Sequence, residues 1–516
     1  MKNITKAKIF VAAALLGLGM TSCNDWLDVE MDDKVMENTL FKDYSGYLSA
    51  LNGVYLSMND LYSSTYTVSG LDVMAQYYNV TANNDHLCKL FATFNYSDVA
   101  FESYNAGIWD KAYQILANLN VVIERCRGEN PLTEKQRAIL LGESLALRGF
   151  IHFDLLRLYG PIYSQNPTAV CIPYQSSSSR EIQPLLPANE VLDLVIADLK
   201  AAEELLKDFD PIITEGVQNV TIDEDGIASY DMAFRQIRMN YYAVEALLAR
   251  AYLWQGDKTN AYNVAKNQII DRITSEDLEV FPWATRAQVA DEQAPDRLFS
   301  SEVFFSLYNS LRYKNVQSVY FSETLTPKKA RLTFFGEDLT GTSKIAAFYD
   351  DENDIRRTLW EVVEPTDSEK EDASVWDPAK TSLAFLKYKD FEASKVYRYM
   401  IPLIRLSEVY LIAAECAPNE TEGRAFLNTL RTRRDCQNVP DNADFNNALT
   451  YEMAREVIGE GQLFFFYKRR GATELIGGTG DSWSGYIPTF NMNIANYVWP
   501  LPQTETSKRE SNNDKE

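Results

Sequence analysis

Two segments of the sequence have the spacing of ligand-binding loops, but each lacks residues that the chemistry needs. Gly336 and Gly341 are spaced as in a phosphate-binding loop, yet threonine and serine follow where a lysine must reach the phosphates. The acidic run Asp223–Asp225 resembles a calcium loop, but Thr221 and Met232 occupy its first and twelfth ligand positions. No G-x-S-x-G or H-E-x-x-H motif occurs. The sequence therefore predicts no cofactor and no nucleotide chemistry.

Histidine and cysteine, which supply many metal ligands and acid–base groups, are few. The histidines are His86 and His152. Because His152 stands between Ile151 and Phe153 on a predicted helix, we interpret it as a hydrogen-bonded core residue. His86 and Cys88 have a spacing too common to indicate a metal site. Five cysteines follow position 23 without C-x-x-C spacing, which favours buried thiols over zinc or a disulfide framework.

Aromatic residues are the side chains that favour a specific function, the binding of sugars. Phe, Tyr and Trp make up 12% of the chain, and several stand in stretches without helical periodicity. A sugar ring has an apolar C–H face that stacks on a flat aromatic side chain, while its hydroxyls bind polar groups. The alternative role for each ring is a core or loop anchor. As candidate glycan-binding residues we take Phe94, Tyr96, Trp283, Tyr313, Trp360 and Trp376, with Tyr308 near them.

Charge composition narrows the classes of partner and enzyme. The formal net charge is −23, from 73 acidic and 50 basic side chains, so a surface that neutralises nucleic-acid phosphates is not expected. A glycosidase needs only two carboxylates, and counting acids does not exclude one. We therefore predict a non-enzymatic protein and keep a glycan-cleaving enzyme as the alternative.

Helices must position these residues. Apolar residues recur at helical spacing, and two segments read as helix, short turn and helix with alanines at the contact, as in a tetratricopeptide repeat. By contrast, Thr274–Val396 is irregular and rich in aromatics, and the chain after Gln503 reads as a polar tail. The predicted helical segments are Tyr104–Arg127, Glu134–Tyr159, Val191–Leu206, Met239–Ile270 and Pro402–Arg434.

The N-terminus has the pattern of an export signal. Three lysines precede an apolar run of 12 residues, Ile9–Met20, which is too short to span a bilayer. The following Thr-Ser-Cys resembles a bacterial lipobox, which predicts acylation of Cys23. We therefore expect a signal peptide over 1–22 and an extended acidic stalk over 23–38.

Six segments together are similar to the SusD/RagB family of outer-membrane lipoproteins of Bacteroidetes. They occur in the family's order and cover essentially the whole chain. They are the start CNDWLDV, then Ile108–Glu124, Glu143–Ile162, Pro402–Ala417, Arg455–Gly471 and Trp499–Glu505.

The resemblance implies an all-α SusD-like fold of tetratricopeptide-type helix pairs with a long irregular insert. We accordingly expect a helical part over 39–273, the insert over 274–396 and a C-terminal helical part over 397–516. In the family, the binding surface is an arc formed by the segment before the Trp109 helix and by the insert. That arc is the reason to favour aromatics from these two regions.

The implied function is glycan capture at the cell surface. The resemblance implies a protein that is lipid-anchored in the outer membrane and delivers its glycan to a SusC-like TonB-dependent transporter. A repeat scaffold that recruits proteins without binding a ligand is the remaining alternative. Within these segments, five charged residues are interpreted as structural ion pairs rather than catalytic groups: Arg148, Asp154, Arg157, Arg405 and Glu408.

Overall fold

The computed structural model describes residues 39–62, 70–80, 85–179, 181–217, 221–222, 228–229, 233–275, 279–325, 329–333, 344–363, 382–477 and 489–513. Cys23, Trp376, the predicted signal peptide and the predicted stalk lie outside these ranges.

Helices dominate the described part of the chain, which confirms the all-α class. The N-terminal helices are α1 Tyr44–Leu61, α2 Lys89–Ala92, α3 Val99–Arg127, α4 Glu134–Tyr159, α5 Ala188–Leu206, α6 Ile212–Glu215, α7 Tyr241–Gln255, α8 Lys258–Asn263 and α9 Asp271–Ser275. The later helices are α10 Arg286–Val289, α11 Lys344–Phe348, α12 Leu406–Cys416, α13 Glu420–Thr432, α14 Phe445–Glu456, α15 Gln462–Arg470 and α16 Gln503–Asn513. Longer π-helical segments lie at Val264–Ile270 and Tyr313–Phe321.

The strands are short and form two-stranded antiparallel sheets in the described ranges. Their pairs are β1 Val170–Pro173 with β2 Leu185–Pro187, β3 Thr221–Ile222 with β4 Ala228–Ser229, β5 Val303–Tyr308 with β8 Met400–Arg405, β6 Trp360–Val363 with β7 Ser382–Phe385, and β9 Glu474–Ile476 with β10 Thr489–Asn491. Short 3₁₀ turns lie at Arg235–Ile237, Ser300–Glu302, Ile355–Leu359, Val396–Tyr399 and Ile494–Tyr497.

The central element is α4, which begins and ends at the predicted residues. A capping box between Thr133 and Gln136 starts it, and Gly160 follows its last residue. Every residue from Ala138 to Tyr159 is buried, and both α3 and α5 pack against α4. A helix that is covered all round carries apolar residues on every face, and this explains its weak amphipathic pattern.

Two helix pairs confirm the predicted helix–turn–helix segments. In the first pair, α7 ends at Gly256, whose φ of 89° is a left-handed conformation that favours glycine, and α8 follows. In the second pair, α12 and α13 approach so closely that a Cβ at Gly423 would lie 2.7 Å from the carbonyl oxygen of Ala414. Glycine is therefore required there by the packing distance.

The strand pair β5–β8 joins the insert to the C-terminal helices. Its ladder runs antiparallel from the pair Val303 and Arg405 at one end to the pair Tyr308 and Met400 at the other. All residues of both strands are buried except Tyr308. The insert is thus tied to the helical body by a strand that leads directly into α12.

Buried ion pairs tie the helices together, as the sequence predicts. Arg157 pairs with Asp154 one turn earlier in α4, and Arg148 makes two contacts of 2.7 Å with the carboxylate of Asp198 in α5. Arg405 contacts the carboxylates of Glu456 and Glu460 at the end of α14 and just after it. Glu408 pairs with Arg250 of α7 at 2.6 Å. These groups are structural.

The C-terminal segment differs from the predicted polar tail, because it forms α16. Arg509 pairs with Glu505 one turn earlier and donates to the carbonyl oxygen of Gln183 at 2.9 Å. The polar composition hides a helix whose side chains reach back to the body of the protein. No helix within the described ranges is long and apolar enough to cross a membrane.

Candidate functional site

The two candidates before α3 are packed rather than displayed. Phe94 is 8% exposed, and its ring centroid lies 6.1 Å from that of Phe490. Tyr96 is half-buried against Phe101, and its hydroxyl donates to the carbonyl oxygen of Asn496. Burial therefore corrects the expectation that the ring of Phe94 is free to stack on a ligand, whereas Tyr96 remains a prediction.

The tryptophans of the insert have different environments. Trp360 is 3% exposed, donates from Nε1 to the hydroxyl of Tyr349 at 3.1 Å and packs 4.7 Å from the ring of Phe385, so it is a core residue. This burial is a second correction. Trp283 is half-buried at 5.0 Å from the ring of Tyr410. Trp283 remains a prediction, and Trp376 lies outside the described residues.

Tyr313 is the predicted residue whose ring the structure displays at the surface. It is 43% exposed, and Tyr308 at the end of β5 is 42% exposed. Leu311, on the turn between them, is also exposed. An apolar surface of this kind is typical of a binding site when aromatic side chains dominate it.

An aromatic patch extends from Tyr308 across the start of β8. We define it as Tyr308, Phe391, Tyr397, Arg398 and Tyr399. The ring of Tyr308 lies 5.2 Å from that of Tyr399, and the guanidinium of Arg398 lies 5.4 Å from the Tyr399 ring. Arg398 also lies 6.0 Å from the ring of Phe391, which is 5.6 Å from Tyr397. The patch therefore joins four rings through one flat cation.

Backbone hydrogen bonds hold this patch in place. The amide of Asn309 donates to the carbonyl oxygen of Tyr399 at 2.7 Å, which extends the β5–β8 ladder past its last pair. Arg312 donates from Nη1 to the carbonyl oxygens of Tyr397 at 3.0 Å and Met400 at 3.1 Å. Asn59 of α1 donates to the carbonyl oxygen of Tyr308 at 3.0 Å. The aromatic side chains are thus mounted on a fixed backbone.

The charged groups of the patch are also fixed. Arg398 binds both carboxylate oxygens of Asp390 at 2.7 Å and donates to the carbonyl oxygen of Glu392 at 3.2 Å. The hydrogen bond from Arg398 lowers the pKa of Asp390 below its ordinary value. A bidentate pair keeps the guanidinium plane in one orientation, so it can serve as part of a flat stacking surface.

Metal binding has no visible support in the described ranges. They contain no cluster of three or more His, Cys, Asp or Glu side chains arranged to hold a metal ion. His152 donates from Nδ1 to the carbonyl oxygen of Arg148 and accepts the Gln175 amide at Nε2, both at 2.9 Å. Burial lowers the pKa of His152 to about 3, so it is neutral. This confirms the interpretation of His152 as a satisfied core residue.

A cavity of about 490 Å³, including its open mouth, lies between α7, α12 and α15. The carboxylates of Glu408 and Glu415 line this cavity. Glu408 pairs with Arg250 and Glu415 pairs with Arg469, each at 2.6 Å. Burial raises the pKa of Glu415, but the guanidinium of Arg469 outweighs this effect, and the pKa falls to about 2. A glycosidase needs a protonated general acid, which a carboxylate held ionised in this way does not supply.

The structure also identifies patch residues that the sequence reasoning missed. Phe391, Tyr397 and Tyr399 stand in the segment FEASKVYRYM, at the boundary that we placed at residue 396. The signal was present as three aromatics and an arginine within nine residues, directly before an apolar strand.

Comparison with known proteins gives two family matches. Residues 25–212 match a SusD-like family described as starch-binding and associating with the outer membrane, and residues 299–512 match the SusD family. A SusD-like protein of Formosa agariphila is 27% identical over 195 residues, and this match spans 37% of the present chain and 36% of that relative.

Solved structures share the fold. A SusD superfamily protein from Bacteroides thetaiotaomicron superposes with a TM-score of 0.64 at 20% identity, over 90% of this chain and 97% of that one. A SusD-like carbohydrate binding protein from Bacteroides vulgatus gives 0.64 at 17% identity, over 90% and 96%. A laminarin binding SusD-like protein gives 0.57 at 17% identity, over 90% and 98%. At these identities, the similarity establishes the architecture.

Proposed function

Because the chain belongs to the SusD/RagB family, we propose that it is a glycan-binding lipoprotein of the cell surface and that the aromatic patch is its binding site. The observation that carries the site is the row of four rings joined by Arg398 on the β5–β8 backbone. Tyr313 flanks this patch along the chain and is included in the proposed site.

Sugar stacking suits this geometry. A pyranose needs a flat apolar face with polar groups at its rim, and the patch offers tyrosine rings beside the carboxylate of Asp390 and the hydroxyls of the tyrosines themselves. Each ring contributes about 1 kcal/mol, so three or four ring contacts alone give roughly millimolar affinity, and hydrogen bonds to the sugar hydroxyls bring it toward the micromolar range. Weak binding is useful in a protein that must release its ligand to a partner. One SusD-like neighbour is described as carbohydrate binding and another as laminarin binding, which supports this ligand class.

The remaining parts of the proposal concern location and partner. We place the lipid anchor at Cys23, which tethers the acidic body to the outer membrane after the signal peptide is removed. A helical body can concentrate a glycan but does not conduct it across a membrane, so uptake requires a barrel transporter. The proposed partner is a SusC-like TonB-dependent transporter, and the proposed event at the patch is binding without cleavage.

Single substitutions in the patch test the proposal. Tyr308→Ala, Tyr313→Ala and Tyr399→Ala should each weaken binding to a polysaccharide about fivefold to tenfold, because each removes about 1 kcal/mol or more of ring stacking. Thermal stability should change little for Tyr308 and Tyr313, whose rings are exposed. Affinity gels over a panel of polysaccharides identify the ligand, and calorimetry then gives the affinities.

A matched control separates local from general effects. Leu194→Ala removes an exposed apolar side chain from α5, which contributes no residue to the patch, and should leave the affinity unchanged. Unchanged affinity in all three tyrosine variants would refute the site. Shortened chains after incubation with the ligand, detected by chromatography, would move the protein to the enzyme class.

A further inference from the structure

A second cleft lies along one face of α14, and none of the patch residues lines it. Its volume is about 720 Å³ including the open mouth, which is comparable to clefts that hold small molecules. The helix contributes Asp444, Asn447, Tyr451 and Arg455, which follow one another at about one-turn spacing. Asp350, just after α11, and residues of the loop between α13 and α14 complete the lining.

Two buried arginines hold Asp350 at this cleft. Arg431 and Arg455 are each 4% exposed, and each contacts Oδ1 of Asp350 at 3.2 Å. The same arginines contact the buried carboxylate of Glu452 at 3.0 and 3.1 Å. Within the described ranges no hydrogen bond ends on Oδ2 of Asp350, whose side chain is 50% exposed. One oxygen of a fixed carboxylate is therefore free to accept from a ligand hydroxyl.

The exposed face of α14 adds an amide and a ring. The backbone amide of Asn447 donates to the N-cap Asp444 at 2.7 Å. The side-chain amide of Asn447 is exposed and makes no hydrogen bond in the part of the chain that the structure describes. Tyr451, one turn further along, is half-buried, and the guanidinium of Arg455 lies 5.6 Å from its ring centroid. Polar groups with unused hydrogen-bonding capacity thus line the same cleft as a flat ring.

Hydrogen bonds fix the backbone on both sides of α14. Arg424 donates to the carbonyl oxygen of Pro440 at 3.0 Å and also to that of Ala443, so the loop before α14 is tied to α13. Arg455 donates from Nε to the carbonyl oxygen of Phe348 at 2.7 Å, which joins α14 to α11. A cleft whose walls are already fixed loses little conformational entropy when a ligand binds.

We propose that this cleft is a second glycan-binding site, which takes a neutral sugar unit through Asp350, Asn447 and Tyr451. Carboxylate and amide groups bind sugar hydroxyls, while a ring and small apolar side chains accept the C–H face. Asp350 and Glu452 each contact both arginines, so carboxylates match the guanidinium charges and the cleft offers hydrogen bonds to a neutral ligand. The inference rests on the proposed function for its ligand class, whereas its position is independent of the aromatic patch.

Neutral oligosaccharides, followed by calorimetry and saturation-transfer NMR, test this site. The probes are short oligomers of glucose, galactose, mannose and xylose, and the starting protein is the double variant Tyr308→Ala/Tyr399→Ala, in which the patch is weakened. We expect at least one oligomer to bind this variant with roughly millimolar affinity. Adding Asn447→Ala or Asp350→Asn should weaken that binding about threefold to tenfold, because each change removes or weakens a hydrogen bond to the sugar.

Matched variants separate the cleft from general effects. Asn447→Ala should leave thermal stability unchanged, because the side chain is exposed and the capping bond uses the backbone amide. Asp441→Asn removes the charge of an exposed aspartate that does not line the cleft, and should leave binding unchanged. Residual binding that survives in both cleft variants would overturn the second site.

The outcomes distinguish this site from the proposed function. Binding by the wild-type protein that disappears completely in the patch variant would overturn the second site and leave the proposed function intact. Wild-type affinity in the patch variant, lost on substitution in the cleft, would support the cleft and overturn the patch. Absence of binding by the wild-type protein to every oligomer and polymer would overturn both.

Discussion

The buried carboxylate Glu456, at the end of α14, gives the sharpest test of the packing beneath the patch. Its oxygens contact Arg434 at 2.7 Å, Arg356 at 2.8 Å and Arg405 at 3.2 Å, and its side chain has no exposed area. Glu456→Gln keeps the shape and one acceptor oxygen but removes the charge that three guanidinium groups share. The buried guanidinium groups of Arg434, Arg356 and Arg405 then lose one of the negative charges that neutralise them.

The size of the effect follows from this geometry. Breaking a buried ion pair by removing one partner costs about 3–5 kcal/mol, and the retained amide oxygen places this variant near the lower end. We expect the free energy of unfolding to fall by about 3 kcal/mol at pH 7. Glu420→Gln is the matched control, because Glu420 pairs with Arg424 at an exposed position and should cost no more than about 0.5 kcal/mol.

The pH dependence provides an independent check. Burial raises the pKa of Glu456, but Arg434, Arg356 and Arg405 outweigh it, and the pKa lies well below the ordinary value of 4.5. Since the pKa is lower in the folded protein, the ionised group stabilises the fold above the unfolded pKa, and this contribution is lost as the pH falls. The difference between wild type and Glu456→Gln should therefore be largest at neutral pH and shrink below about pH 4.5.

Urea unfolding followed by circular dichroism at pH 7 and at about pH 3.5 measures both effects, provided that the slope of the transition is unchanged. A loss no larger than that of Glu420→Gln would refute the reasoning. So would a difference that stays constant over the whole pH range, since the charge of Glu456 would then not be the stabilising feature.

Two further predictions concern the cell surface. Cys23→Ala should release the protein from the membrane fraction, because acyl chains stabilise membrane attachment by about 0.8 kcal/mol per buried CH₂; retention of the variant in a strain without the transporter would contradict the anchor. Wild-type protein purified from native membranes in mild detergent should bring with it a large TonB-dependent barrel, detected by mass spectrometry, and consistent recovery of the protein alone would count against a stable complex.

The helical body could be predicted from sequence because its signals are local. The cap residues and the following glycine fix both ends of α4 at Glu134 and Tyr159. The helix–turn–helix pairs were visible through alanines and a turn glycine. The C-terminal helix α16 was not, since its residues are almost all polar and its contacts, such as Arg509 with Gln183, join positions far apart in the chain.

The candidate site was harder to predict, because exposure is a tertiary property. Trp360 and Phe94 have the same composition signal as Tyr313, yet the first two are buried and the third is displayed. For Tyr308 and Tyr399, the pairing of β5 with β8 brings the two rings into contact, although 91 positions separate them along the chain. No periodicity within either segment reports that pairing.

The β5–β8 ladder links the two features on which the function depends. At one end, Val303 pairs with Arg405, whose guanidinium belongs to the buried charge cluster around Glu456; at the other, Tyr308 pairs with Met400 beside the aromatic patch. Each strand has only six residues, so the cluster anchors the ladder within about 20 Å of the patch. The rings that we propose as the glycan-binding surface are therefore held by a backbone that the buried charge cluster fixes at its other end. The buried ion pairs around Glu456 thus hold the strands in place. The pair Arg398 and Asp390 has a different role, because it holds the guanidinium plane in one orientation between the aromatic rings.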